Sequence, residues 1–85
     1  MPTIKMIGAI KLSINSGDHE PPHVHIDYAE HSTRVEIDTL DIMPTLGKFP
    51  RKKLKIALDW LLEGDNQENA KRIFYTLNPQ LRGDG

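Results

Sequence analysis

Apolar residues change their spacing near the middle of this chain, and that change constrains the fold more than any other feature. Over the first forty residues they alternate with polar residues, as Val24 and Ile26 do between His23, His25 and Asp27. In the second half they recur at intervals of three and four. Alternation is typical of a half-buried strand, and the wider spacing is typical of an amphipathic helix. The sequence therefore predicts strands followed by helices, an α+β fold.

The alternating half predicts an antiparallel sheet with one wet face. We expect three strands, over about residues 3–14, 23–28 and 33–38, and a short fourth strand near residues 40–42 is the alternative. In the first strand the apolar face would carry Ile4, Met6, Ile10, Leu12 and Ile14. Gly8 interrupts that face and indicates a bulge or a close backbone approach.

Two helices are predicted to follow and to pack on the apolar face of the sheet. The first starts at Pro50, which suits a first helical turn, and ends before Gly64, a typical residue just past a helix end. Its apolar face would be formed by Leu54, Ala57, Leu58 and Leu61, widened by Ile56, Trp60 and Leu62. Trp60 is expected to pack at least partly between this helix and the sheet.

The second helix is predicted between Asp65 and Asn78. Asp65, with Glu68 three residues later, has the spacing of a capping box. Its apolar positions are Ala70, Ile73, Phe74 and Leu77, and Pro79 stops it. Residues 1–81 are expected to form a single domain, and residues 82–85 a flexible tail.

Composition narrows the class of protein. The chain has 85 residues, enough for one domain, and no cysteine, so disulfides, thiolate metal sites and cysteine nucleophiles are excluded. No apolar run approaches a transmembrane helix, and no signal peptide is recognisable, which predicts a cytoplasmic protein without a membrane partner. The net charge of −1 does not favour nucleic acid binding, although a local patch could still support it.

The main chemical feature is a histidine-rich stretch. Its candidate site residues are Asp18, His19, Pro21, Pro22, His23 and His25. On an extended strand His23 and His25 would project from the same, solvent-facing side, about 6.8 Å apart along the chain. Two imidazoles so placed can share a divalent transition metal, with His19 as the third ligand and Asp18 or Glu36 as alternatives. The other interpretation is an ordinary wet strand surface after a rigid Pro-Pro pair.

A second charged feature lies at the start of the first predicted helix. Arg51, Lys52 and Lys53 stand among further lysines there, where the helix dipole disfavours cations. A basic helix start with free N–H groups suits an anion, so these three residues are candidate anion ligands. The alternative is a solvated lysine cluster. We expect this cluster and the histidines to lie on different surfaces.

The sequence also resembles a known family. The run Asp18-His19-x-Pro21-Pro22-His23-x-His25, the following hairpin and Asp59-Trp60 in a helix are similar to small bacterial proteins grouped as a domain of unknown function, number four-one-six-zero. The resemblance covers roughly residues 1–62. Such proteins are often encoded beside a second small domain, as in toxin–antitoxin pairs, so the resemblance implies a partner protein and supplies no activity.

Two functional hypotheses follow from these features. The first is a small binding or regulatory module that acts with a partner protein in a toxin–antitoxin-like pair. The second is an enzyme, a metal-dependent hydrolase or nuclease that uses the histidine stretch. The sequence does not decide whether the protein is an enzyme.

Overall fold

The computed structural model describes residues 3–16, 21–43 and 48–81, which form an antiparallel sheet followed by two helices. The four strands pair in chain order, so that the sheet is a meander with β1 and β4 at its edges. The α+β prediction is confirmed. The elements are β1 (Thr3–Ile7), β2 (Ile10–Ser13), β3 (His23–Tyr28), β4 (His31–Glu36), α1 (Arg51–Leu62), α2 (Asn66–Leu77) and a 3-10 turn (Pro79–Leu81).

The fourth strand comes from the N-terminal segment, which was predicted as one strand. That segment folds back at Gly8 and Ala9, and Ile7 pairs with Ile10 across the turn. Gly8 has a φ of 57°, the left-handed conformation that a two-residue hairpin turn requires and that glycine adopts without steric cost. The predicted alternative near residues 40–42 is not a strand, since Ile42 forms only an isolated bridge with Val35.

The turn also reverses which residues of the first segment face the core. Residues paired across an antiparallel ladder share a face, and Lys5 pairs with Leu12 while Met6 pairs with Lys11. Met6 therefore lies on the polar face and is 52% exposed, contrary to its predicted place in the core. Ile10 and Leu12 are buried as predicted.

The core lies between the apolar face of the sheet and the helices, as the spacing predicted. Leu12 pairs with Ile26, and Val24 pairs with Val35, and all four side chains are fully buried. Helix α1 covers them with Leu54, Ala57 and Leu61, while Leu58 and Trp60 pack at its margin. The expectation for Trp60 is confirmed. Ile56 and Leu62 are wrongly assigned, because they are 40% and 61% exposed.

The helices begin and end near the predicted residues, but one predicted capping bond does not form. Helix α1 begins after Pro50 and is followed by Gly64 with a φ of 47°, a left-handed residue typical of helix ends. Asp65 precedes α2 but makes no side-chain capping bond, so the capping box is wrong. The junction is held instead by the Asn66 side-chain amide, which donates to the Trp60 carbonyl at 2.7 Å.

Helix α2 crosses one end of the sheet. Near its start, the Gln67 amide donates to the Ile37 carbonyl just after β4, at 2.7 Å. Beyond its last turn, the Asn78 amide donates to the Asn15 carbonyl just after β2, at 3.0 Å. The helix therefore spans the end at which β2 and β4 finish and β3 begins. It stops before Pro79 as predicted, and residues 82–85 lie outside the described residues.

The lengths of the two helices can be compared with the length needed to cross a membrane. No helix among the described residues is long and apolar enough to cross a bilayer.

The hairpin between β3 and β4 contains a strained residue that provides a stability test. Ala29 follows Tyr28 in a two-residue turn and has a φ of 54°, which costs a side-chain-bearing residue about 1–2 kcal/mol. Ala29→Gly should raise the free energy of unfolding by about 0.5–1 kcal/mol, since this relief exceeds the entropy that glycine adds to the unfolded chain. Urea denaturation measures the change.

The matched control is Ala9→Gly in the other two-residue turn, at a position with no positive φ. There only the entropy term operates, so the free energy of unfolding should fall by about 0.5 kcal/mol. If both substitutions lower stability, the left-handed conformation of Ala29 is not a source of strain.

Candidate histidine site at the end of the sheet

The histidine stretch enters β3 at the end of the sheet that α2 crosses. Pro22 is buried, and its carbonyl accepts a hydrogen bond from the Ile37 amide at 2.9 Å. This bond continues the pairing of β3 with the segment after β4. Pro21 and Pro22 restrict the backbone to extended conformations. The chain therefore enters β3 at His23 with little conformational freedom.

His23 is buried, with 1% of its surface exposed. Its ring centroid lies 5.7 Å from that of Phe74 in α2. Its Nδ1 lies 2.7 Å from the Pro21 carbonyl oxygen, which can only accept, so Nδ1 carries a proton and, in the neutral ring, Nε2 carries the lone pair. The prediction of a solvent-facing His23 is wrong, because α2 covers this end of the sheet.

His25 lies on the same side of β3 and is half-buried. Its ring centroid is 5.1 Å from that of His23, which confirms that the two imidazoles share a face opposite Val24. The Asn15 side-chain amide nitrogen lies 3.1 Å from His25 Nε2. An amide nitrogen only donates, so with this orientation of the amide His25 Nε2 accepts and Nδ1 carries the proton.

Three polar residues that the sequence did not indicate line the same region. Ser13 pairs with His25 across the ladder and is fully buried. Among the described residues, the Ser13 hydroxyl and Asn15 Oδ1 are buried without a hydrogen-bond partner. Asn78, also fully buried, donates to the carbonyls of Asn15 and Phe74. We call Ser13, Asn15, His23, His25 and Asn78 the buried polar cluster.

Sequence reasoning missed the polar residues of this cluster for a definable reason. Asn15 belongs to a turn-rich segment, and Asn78 precedes a proline, so each has an ordinary local role. Their convergence depends on α2 crossing the end of the sheet, which links positions 63 residues apart. No local pattern in the chain signals such a contact.

Of the remaining predicted metal ligands, only Glu36 is among the described residues. Asp18 and His19 lie outside the described residues. Glu36 pairs with His23 across the ladder, but its carboxylate accepts a hydrogen bond from the Thr39 hydroxyl at 2.9 Å. Over residues 3–16, 21–43 and 48–81, no three histidine or carboxylate side chains converge as metal ligands would.

The basic residues of α1 lie near the opposite end of β3. The Lys53 ammonium sits over the Tyr28 ring, 5.2 Å from its centroid. Tyr28 and His23 are the last and first residues of a six-residue strand, roughly 17 Å apart at about 3.4 Å per residue. Arg51 and Lys52 are exposed on the same first turn of α1. This arrangement agrees with the expectation that the basic cluster and the histidines lie on different surfaces.

The arrangement has a limited set of chemical uses. Two imidazoles on one face, one of them oriented by a backbone carbonyl, could bind a metal or hydrogen-bond a polar group. His23 also packs against Phe74, and both histidines hydrogen-bond within the fold, so part of their role is structural. The anion-binding role of Arg51, Lys52 and Lys53 stays a prediction.

Comparison with known proteins identifies one relationship. Residues 9–72, three quarters of the chain, match the family model described as Domain of unknown function (DUF4160). No curated protein and no solved structure matches the chain.

The buried polar cluster provides a second test of the fold. Asn78→Ala removes the bonds from the Asn78 amide to the Asn15 and Phe74 carbonyls, so the free energy of unfolding should fall by about 1–3 kcal/mol. Asn69→Ala, at an exposed position of α2, should change it by no more than about 0.5 kcal/mol. Equal effects in thermal or urea unfolding would show that Asn78 does not hold α2 to the sheet.

Proposed function

We propose that this chain, which belongs to the DUF4160 family, is a small binding module that acts with a partner protein. The observation that carries the proposal is the contrast between the two edges of its sheet. Part of one edge is covered by the protein's own backbone, whereas the other pairs with no second strand among the described residues. An edge of the second kind is a template for pairing with an extended segment.

The covered edge is β4. After this strand the chain turns back, and the Met43 amide donates to the Arg34 carbonyl at 2.8 Å. The Glu36 amide donates to the Asp41 carbonyl at 2.9 Å. These bonds satisfy outward-pointing groups at the Arg34–Glu36 end of β4, so that part of the edge is not open to a partner.

The open edge is β1, which among the described residues pairs only with β2. Ile7 and Ile10 flank a two-residue turn and therefore exchange both of their backbone hydrogen bonds. Met6 and Lys11 form the next pair, in which the backbone groups point away from the partner strand. The Met6 amide and carbonyl thus face outward at the centre of the edge.

Two features limit how long a segment can pair there. The register with β2 shifts between Thr3 and Lys5, and such an irregularity disturbs pairing. Lys5 is also a charge on an edge strand, which opposes indiscriminate association. The regular part of the edge runs from Lys5 to Ile7, which suits a short and selective contact with one partner.

The kind of partner follows from the family resemblance. Proteins of this type are often encoded beside a second small domain, so the adjacent gene product is the first partner to test, and a toxin–antitoxin-like pair is the corresponding biological role. Because β1 lies outside the matched residues 9–72, the proposal concerns this chain and not the family as a whole.

Co-expression with the adjacent gene product tests the proposal. The two proteins should co-purify in a fixed ratio, and Met6→Pro should weaken the purified complex by at least about tenfold, because proline removes the outward amide donor. Met6→Ala keeps that donor and should retain most of the affinity. Isothermal titration measures binding, and urea unfolding verifies that both variants fold. An undiminished complex with Met6→Pro contradicts the proposal.

A metal-dependent hydrolase is the second candidate, favoured by one specific observation. The bond from His23 Nδ1 to the Pro21 carbonyl leaves Nε2 as the lone-pair nitrogen, and metal-bound histidines are commonly oriented in this way. The His25 ring is close enough to contribute a second ligand once its Nε2 is released from the Asn15 amide nitrogen. The roughly 17 Å between His23 and the Lys53 end of β3 removes support for a phosphate shared with Arg51, Lys52 and Lys53.

Metal content tests this second candidate. If the histidines bind zinc, nickel or manganese, the untagged protein should contain the metal, and the Tm of protein stripped with a chelator should rise by at least about 5 °C when metal is added back. His25→Ala should abolish that rise, while His31→Ala, near the other end of β3, should preserve it. A Tm that no metal changes excludes the hydrolase.

A further inference from the structure

A groove runs beside the open edge, between β1 and α1. It has a volume of about 400 Å³ and is lined by Lys5, Ile7, Ile56, Asp59, Trp60 and Glu63. Because Lys5 and Ile7 pair with Leu12 and Ile10, their side chains lie on the face of the sheet that α1 covers. Any strand added to β1 would therefore direct every second side chain into this groove.

The two ends of the groove are lined by different residues of α1. Lys53, in the first turn of α1, contacts Tyr28, and Tyr28 is level with Ile10 and hence with Ile7. The Ile7 end of the groove thus lies towards the start of α1, and the Lys5 end towards its finish. Ile56, one turn after Lys53, therefore lies at the Ile7 end of the groove, and Glu63 lies at the Lys5 end.

The Ile7 end offers an apolar surface. Ile56 is 40% exposed, and Ile7 and Trp60 are half-buried, so an apolar side chain seated there would remove all three from water. This is the usual character of an anchor position in a protein interface.

The Lys5 end is charged with both signs. Lys5 lies on the strand side, and Glu63 lies at the end of a helix whose last turn contains no basic residue. Asp59 is already paired with Lys55 at 3.0 Å. A cation placed between Lys5 and Glu63 would be repelled by the first and attracted by the second, and an anion the reverse, so either charge would lose hydration with little net attraction in return. An uncharged side chain fits this position better than either.

We propose that the groove binds an extended segment of the partner protein with an apolar residue opposite Ile7 and an uncharged residue opposite Lys5. This inference rests on the proposed function, because it requires the segment to pair with the Met6 backbone. A second copy of this chain fits less well. Two β1 strands paired about Met6 would place the Lys5 of each copy opposite the other's Ile7, which buries a charge on the apolar surface.

A fused segment tests the inference without the natural partner. A seven-residue probe of serine and threonine, with one leucine at the anchor position, is joined ahead of Met1 by a flexible linker of about eight residues, which supplies an effective concentration in the millimolar range. Docking should slow hydrogen exchange of the outward Met6 amide by at least about fivefold. The Ile7 amide, which pairs within the sheet, should change little.

Substitutions in the probe and in the chain test whether the protection of the Met6 amide depends on the groove. Leucine to serine in the probe, or Ile56→Ser in the chain, should reduce the protection of Met6 by about fivefold. Lysine or glutamate at the probe position opposite Lys5 should each do the same. Leu62→Ser is the matched control, since Leu62 is on α1 and 61% exposed but does not line the groove. It should leave the protection within about twofold.

The outcomes separate the inference from the proposed function. If Met6 is protected regardless of Ile56→Ser and of the leucine, the edge docks a strand and the groove selects nothing, so only this inference fails. If no probe protects Met6, the edge does not bind extended segments, and the proposed function fails too. If sedimentation shows that the unfused chain dimerises and Ile56→Ser disrupts the dimer, a second copy occupies the groove and the inference is overturned.

Discussion

Two two-residue turns fix the register of the sheet, and the rest of the structure depends on that register. The turn at Gly8 and Ala9 pairs Ile7 with Ile10, and the turn after Tyr28 pairs it with His31. A slip of one residue at either turn would move every side chain of a strand to the other face. The apolar face that α1 covers and the outward groups of β1 are therefore set by two short local structures. A glycine with a φ of 57° makes the first of these turns possible.

The histidines show that a helix can bury a residue that the alternation of its strand would leave exposed to solvent. On β3 alone, His23 would be a polar residue on a wet face. Helix α2 crosses that end of the sheet, held by Gln67 at one side and Asn78 at the other, and brings Phe74 against the His23 ring. A buried imidazole requires hydrogen-bond partners, and the Pro21 carbonyl supplies one for Nδ1. Thus the residues with the strongest functional pattern also help to join the second helix to the sheet.

Periodicity predicted the parts of the fold that are regular over several residues. It placed β3 at its observed bounds, assigned Val24 and Ile26 to the core, and found both helices and the stop at Pro79. It failed at the first hairpin, where apolar residues fall at even positions on both sides of Gly8. A two-residue turn exchanges the faces of odd and even positions, so an alternation that resumed in the same phase after Gly8 concealed the turn and placed Met6 in the core.

The candidate site was predictable only where its residues share one strand. The common face of His23 and His25 follows from their spacing, whereas the contributions of Asn15 and Asn78 depend on contacts between distant parts of the chain. The groove beside β1 was not predictable either. It requires Ile7 to face α1, which follows from the turn at Gly8, and it requires Ile56 to lie beside the edge instead of in the core.

The unequal edges of the sheet have a consequence for assembly. A sheet with two open edges can gain strands on both sides and grow into a fibre. Here the backbone after β4 occupies the Arg34–Glu36 part of one side, through bonds such as that from the Met43 amide to the Arg34 carbonyl, and hinders the addition of a strand there. In the proposed complex the sheet would therefore grow mainly at β1, which favours a fixed ratio of the two proteins over a fibre.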